Sequence, residues 1–144
     1  MKNLFYFLFL LIIIPTVSCE DELINLINND PRENIEGSWH CVEDSPSYGQ
    51  TQYSVYISPD SDTTKVLISN FYQIDNDISA LAILDDHTLI IEQQTLAGGF
   101  RISGQGTVSN NYKTINLNYT VEEIPVKSNK NLLFETVVAV YTKN

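Results

Sequence analysis

Lys113-Thr114-Ile115-Asn116-Leu117-Asn118-Tyr119-Thr120-Val121 alternates without a break, with Ile115, Leu117, Tyr119 and Val121 apolar and the residues between them polar. Successive side chains of a β-strand point to opposite faces, so the stretch reads as a strand with one buried and one wet side. Working upstream, Phe100, Ile102 and Val108 share a phase with Gly104 and Gly106, opposite Arg101, Ser103, Gln105 and Thr107. Glycines inside a strand point to sharp coiling or close backbone approach, as at a barrel corner. The same period of two extends to both sides and predicts strands near 38–44, 51–58, 64–71, 78–84, 88–94, 100–108, 113–121 and 132–142.

The connections decide how these strands pair. Asp85-Asp86-His87 and Ser109-Asn110-Asn111-Tyr112 are short enough for hairpins, and Leu96-Ala97-Gly98-Gly99 offers permissive backbone for a third. No segment after Trp39 carries helical periodicity long enough for a βαβ crossover, which argues against a parallel sheet. The expected fold is therefore all-β: an eight-stranded antiparallel up-and-down barrel, with a β-sandwich as the alternative. Closure is preferred because it removes exposed edges.

Ahead of this domain the chain changes character. Lys2 gives a positive start, Leu4 to Ile14 form an unbroken apolar run, and Pro15-Thr16-Val17-Ser18 lead to Cys19. The run falls well short of the roughly 20 residues that cross a bilayer, so residues 1–18 read as a signal peptide rather than a membrane span. The residues alone also allow ordinary cleavage that leaves Cys19 unmodified. Residues 19–36 read as a tether and lead-in, in which Leu23, Ile24, Leu26 and Ile27 form a short amphipathic turn or remain disordered. The folded domain is expected over 37–144.

Charge narrows the partners. The formal net charge is -10, and losing Lys2 with the signal leaves 18 acidic side chains against 7 basic ones. Such a surface repels phosphate, and no cluster of Lys and Arg exists to displace counterions, so nucleic acid is excluded. A basic protein partner remains allowed, although acidity also serves simply to keep a tethered domain soluble.

Val17-Ser18-Cys19 resembles the lipobox of bacterial lipoproteins, with Thr16 standing where Leu is usual, and Glu20-Asp21-Glu22 resembles the acidic export tag of surface lipoproteins in Bacteroidetes-type bacteria. The resemblance implies lipidation at Cys19, attachment to the outer membrane through the lipid, and display at the cell surface. Each buried methylene adds roughly 0.8 kcal/mol, so two or three acyl chains would make attachment nearly permanent. With Cys19 acylated, Cys41 has no disulfide partner and reads as a small buried hydrophobe.

Gly37-Ser38-Trp39 at the start of the first strand resembles the Gly-x-Trp signature of the calycins, the lipocalin-like antiparallel barrels. The resemblance implies that Trp39 plugs the closed end beneath a basic side chain of the last strand, here Lys143, where lipocalins usually have Arg. An eight-stranded barrel either fills itself with side chains or holds one small molecule. Interior positions that would line a ligand are Val55, Ile57, Ile68, Phe100, Ile102, Gly104, Gly106, Leu117 and Tyr119, the two glycines being where space would remain; a packed interior is slightly favoured.

Other chemistry is thin. His40 and His87 lie far apart, and no His/Cys/Asp/Glu spacing matches a metal site. Asp60-Ser61-Asp62 and Asp75-Asn76-Asp77 read as turns rather than calcium loops. Gly104-Gln105-Gly106 has no following helix, and no serine sits in a nucleophile elbow. Neither a cofactor nor a metal is expected, and an enzyme is the least favoured class. Asp62-Thr63-Thr64 resembles an O-glycosylation acceptor of Bacteroidetes, with Thr63 as the modified residue. Two functions stand: a non-catalytic binding module for a small apolar ligand or nutrient fragment, or an acidic domain that docks a basic protein through exposed tyrosines such as Tyr48, Tyr56 and Tyr72.

Overall fold

The computed structural model describes residues 30–125 and 132–144. Eight strands run in order: β1 (Gly37–Ser45), β2 (Gly49–Pro59), β3 (Lys65–Ser69), β4 (Ser79–Asp85), β5 (Thr88–Leu96), β6 (Phe100–Val108), β7 (Thr114–Glu123) and β8 (Phe134–Lys143). Each pairs antiparallel with its successor, and β8 returns to β1 from Trp39↔Lys143 to Asp44↔Val138, which closes the barrel. That last ladder sets aside the sandwich alternative, because a sandwich would leave β1 and β8 as edges. Expected and observed strand ends differ by up to two residues. The third strand stops at Ser69 instead of residue 71 because Asn70 turns to a left-handed φ of 59° and starts the short 3₁₀ turn η2 (Phe71–Gln73).

Strand phase fixes what is inside. Trp39, Cys41, Glu43 and Ser45 of β1, Tyr53, Val55 and Ile57 of β2, Ile115 to Val121 of β7 and Glu135 to Tyr141 of β8 all bury their inward alternates. Outward alternates include Gln52, Ser54, Asn116 and Asn118. The apolar face is thus inward, the reverse of a barrel whose wall contacts lipid. Among the described residues no helix is long and apolar enough to cross a membrane.

One end is sealed. Trp39 and Ile35 are completely buried there, the Trp39 indole Nε1 donates to the Ile35 carbonyl at 2.9 Å, and the Lys143 Nζ lies 5.6 Å from the indole ring centre and donates to the Asn34 carbonyl at 2.7 Å. A second 3₁₀ turn, η1 (Pro31–Asn34), completes the seal. Its Arg32 donates from Nη1 to the carbonyls of Asp60, Asp62 and Lys65, and its Nε and Nη2 meet the Asp30 carboxylate, so the lead-in is tied to the β2–β3 loop. Ile35 and Arg32, within the stretch expected as lead-in, thus supply the floor under Trp39. The amphipathic turn expected at Leu23 to Ile27, like Cys19, lies outside the described residues.

Two local departures shape the wall. At Gly104 an added Cβ would stand 2.4 Å from Tyr119 Cβ and 2.6 Å from the Asn118 carbonyl oxygen, so β6 crosses β7 at a distance only glycine permits. In β5 the register with β6 slips between Ile91 and Gln94, a bulge. The β4–β5 ladder covers only Ile83 to Asp85. Beyond it the Gln94 side chain accepts from the Leu81 amide at 2.9 Å and donates to the Leu81 carbonyl at 2.7 Å, standing in for a missing backbone rung.

Candidate functional site

At the opposite end the described residues leave an opening, ringed by the β1–β2 hairpin, the η2 segment between β3 and β4, the β5–β6 turn, the end of β7 and the start of β8. There a cavity of about 420 Å³ is lined by Glu43, Tyr48, Thr51, Tyr72, Gln73, Ile74 and Phe100, a size within the range of small-molecule sites. Below it the barrel is filled. Phe71 of η2 is fully buried and its ring centre lies 4.7 Å from that of Tyr119, forming the floor of the mouth.

The mouth is built around two inward carboxylates. Glu43 is 3% exposed, and its Oε2 accepts from both Tyr53 and Tyr119 hydroxyls. Burial pushes its carboxyl above the usual range, the two tyrosine hydrogen bonds pull it back, and the neighbouring Glu135 charge adds to the rise. Glu135, one strand over on β8, accepts from Ser45 Oγ at 2.8 Å, the Ser47 amide at 3.0 Å and the Tyr72 hydroxyl at 2.6 Å. Burial opposes its ionisation, but these hydrogen bonds outweigh burial and hold its carboxyl below the usual range. The mouth thus contains one carboxyl that resists ionisation and one that stays charged.

Aromatic rings form much of the wall. Tyr72 meets Phe100 edge-on at 5.7 Å between centres and Tyr119 at 6.3 Å. Its backbone φ of 56°, with Asn70 and Gln73 also left-handed at 59° and 53°, is costly for side chains with a Cβ. The segment is held by the Phe71 plug, the Tyr72–Glu135 bond and the Asn70 amide, which donates to the Ser54 carbonyl at 2.8 Å.

Of the nine positions expected to line a ligand, Phe100 lines this cavity. Val55, Ile57, Ile68, Ile102 and Leu117 are core residues below it, and Tyr119 is buried beneath Phe71 with its hydroxyl on Glu43. Gly104 and Gly106 leave no space, since Tyr119 and Leu117 of β7 occupy what their missing side chains vacate. Tyr48 is 67% exposed at the rim and Tyr56 is exposed on the outer wall, whereas Tyr72 turns inward, contrary to its expected exposure. Thr63 is exposed in the β2–β3 loop at the sealed end. The Cys41 thiol is buried, with burial pushing it up to about 12, which makes it unreactive. Asp75 Oδ1 accepts from the Asp77 amide and Asp62 Oδ1 from the Thr64 amide, the side-chain turns expected of both acidic triplets.

Glu43 and Glu135 were not foreseen as site residues. The signal was present: each stands in the inward phase of its strand, with Cys41 and Ser45 or with Val137 and Ala139, where an acid breaks the apolar pattern.

No family model and no curated protein matches the chain. Two solved structures are similar in architecture. EF1p2_mFAP2b bound to DFHBI is 12% identical, with a TM-score of 0.52, over 78% of this chain and 95% of that one. A redesigned β-barrel, b11L5F_LGL, is 12% identical, with a TM-score of 0.53, over 78% of this chain and 94% of that one. At this identity the likeness concerns the fold: a small closed β-barrel.

Proposed function

We propose that the chain is a non-catalytic binding module, tethered to the bacterial outer membrane by lipid on Cys19, that takes a small, mainly apolar molecule into the open end of its barrel. The observation that carries the reading is the asymmetry of the barrel. One end is sealed by Trp39, Ile35 and Arg32, and the other holds a cavity of about 420 Å³ walled by Tyr48, Tyr72, Ile74 and Phe100. The similarity to a barrel solved with DFHBI bound supports a small-molecule role for this architecture. Asp30 enters at the sealed end, so a lipid on Cys19 would turn that end toward the membrane and the mouth toward the medium. Docking of a basic protein through exposed tyrosines is less favoured, because Tyr48 and Tyr56 lie on rim and wall and Tyr72 faces inward.

Native mass spectrometry of the purified protein against a broad panel of small apolar molecules tests the binding. One-to-one adducts, weakened when Phe100→Ala removes the ring from the cavity wall, are expected; no adduct across the panel contradicts it. Radiolabelled palmitate tests the tether: label should enter the wild type and be absent from Cys19→Ala, and an unlabelled wild type contradicts it.

A further inference from the structure

We propose that the mouth cavity selects a small organic cation, an amine on an apolar or aromatic body, whose charged nitrogen is held by the free oxygen of Glu43; this rests on the binding-module reading above. Both tyrosine hydroxyls that reach Glu43 go to Oε2. Oε1 has no hydrogen-bond partner among the described residues, although the side chain is 3% exposed and lines the cavity. On the cavity side, that oxygen can accept from a ligand donor, and a charged donor makes the stronger hydrogen bond.

The sign of the ligand follows from what surrounds that oxygen. Among the described residues, the ion pairs of Lys and Arg are Arg32–Asp30, Lys65–Asp62 and Arg101–Glu122, and none reaches Glu43 or Glu135. Glu135 spends its oxygens on Ser45, Ser47 and Tyr72, so it shapes the wall and contributes negative charge without offering itself as a contact. Tyr48, Tyr72 and Phe100 present ring faces or edges to the same space, and ring faces attract a cation most strongly when it is desolvated. Among the described residues an anion would meet two carboxyls and no cation. A metal ion would want several oxygen ligands, whereas the wall includes Ile74 and Phe100, and among the described residues no group of three His, Cys, Asp or Glu converges. An amine with an apolar tail satisfies both the acid and the wall.

The test compares 2-phenylethylamine, 2-phenylethanol and phenylacetate, alike in shape and different in charge, by calorimetric titration of the purified protein at neutral pH. The amine should bind about tenfold or more tighter than the alcohol, and phenylacetate most weakly. Glu43→Gln keeps an acceptor for Tyr53 and Tyr119 and should bring the amine down to the alcohol's affinity; a thermal melt verifies that it folds, and the wild-type comparison stands without it. Equal binding of amine and alcohol, preference for phenylacetate, or an amine preference that survives in folded Glu43→Gln each overturns amine selection and leaves the binding module intact. If none of the three binds but an apolar molecule of the wider panel does, amine selection again falls alone. If nothing binds in either experiment, both readings fall together.

Discussion

At Glu43 two opposed effects meet: burial disfavours the carboxylate, while hydrogen bonds from Tyr53 and Tyr119 favour it, and burial wins. A carboxyl whose folded pKa lies above its unfolded value contributes most to stability below the unfolded value, and that contribution is lost as pH rises through the folded one. Urea denaturation across pH should therefore show the wild type losing stability relative to Glu43→Gln as pH rises above the ordinary carboxyl value of 4.5. Glu135 acts in the opposite sense, since its depressed carboxyl stabilises above its unfolded pKa and that contribution disappears on acidification. Measured as differences from the wild type, Glu43→Gln and Glu135→Gln should have pH profiles of opposite slope; identical profiles would contradict the assignment. Both acids were legible as phase anomalies in β1 and β8, yet their partners were not. Tyr72 reaches Glu135 across 63 positions of chain, and only the closure of β8 onto β1 brings Ser45 beside that carboxylate. Trp39 and Lys143 could be placed together from a three-residue signature and a strand end, but Ile35 and Arg32, which form the floor beneath them, have no periodic mark.

At the scale of the elements, the alternation of β7 and β6 was readable because one face is dry and the other wet, and the observed β6 has the expected limits of 100 and 108. The bulge in β5 was not readable, for Glu92-Gln93-Gln94 is polar throughout and gives no phase from which a slip could be seen. Its consequence is the side-chain rung that Gln94 makes to both backbone groups of Leu81. Gln94→Ala should strand that amide and carbonyl and cost about 1–3 kcal/mol in urea denaturation, with faster amide exchange at Leu81. An unchanged midpoint would mean that the gap between β4 and β5 needs no bridge. The η2 turn escaped sequence reading for a related reason: Asn70, Tyr72 and Gln73 adopt left-handed backbone without a glycine among them, a conformation sustained by Phe71 in the core and Tyr72 on Glu135 rather than by local preference.

For the whole molecule, eight strands closing on themselves leave no free edge on which another strand could pair. Among the described residues the interior is filled from Trp39 to the Phe71–Tyr119 contact and opens above it, so the expectation of a packed interior and that of a ligand cavity meet in one barrel at different heights. The acidic composition, legible at once from 18 acids against 8 bases, takes on a local meaning in the mouth, where two of those acids are turned inward. The most direct test of a single-mouthed binding barrel is a nuclear magnetic resonance titration of the purified protein with a molecule retained in native mass spectrometry, following every amide. Shifts confined to Tyr48, Thr51, Tyr72, Gln73, Ile74, Phe100 and their neighbours, with Trp39 and Val108 unmoved, are the expected result; shifts centred on the sealed end or scattered over the outer wall would contradict it.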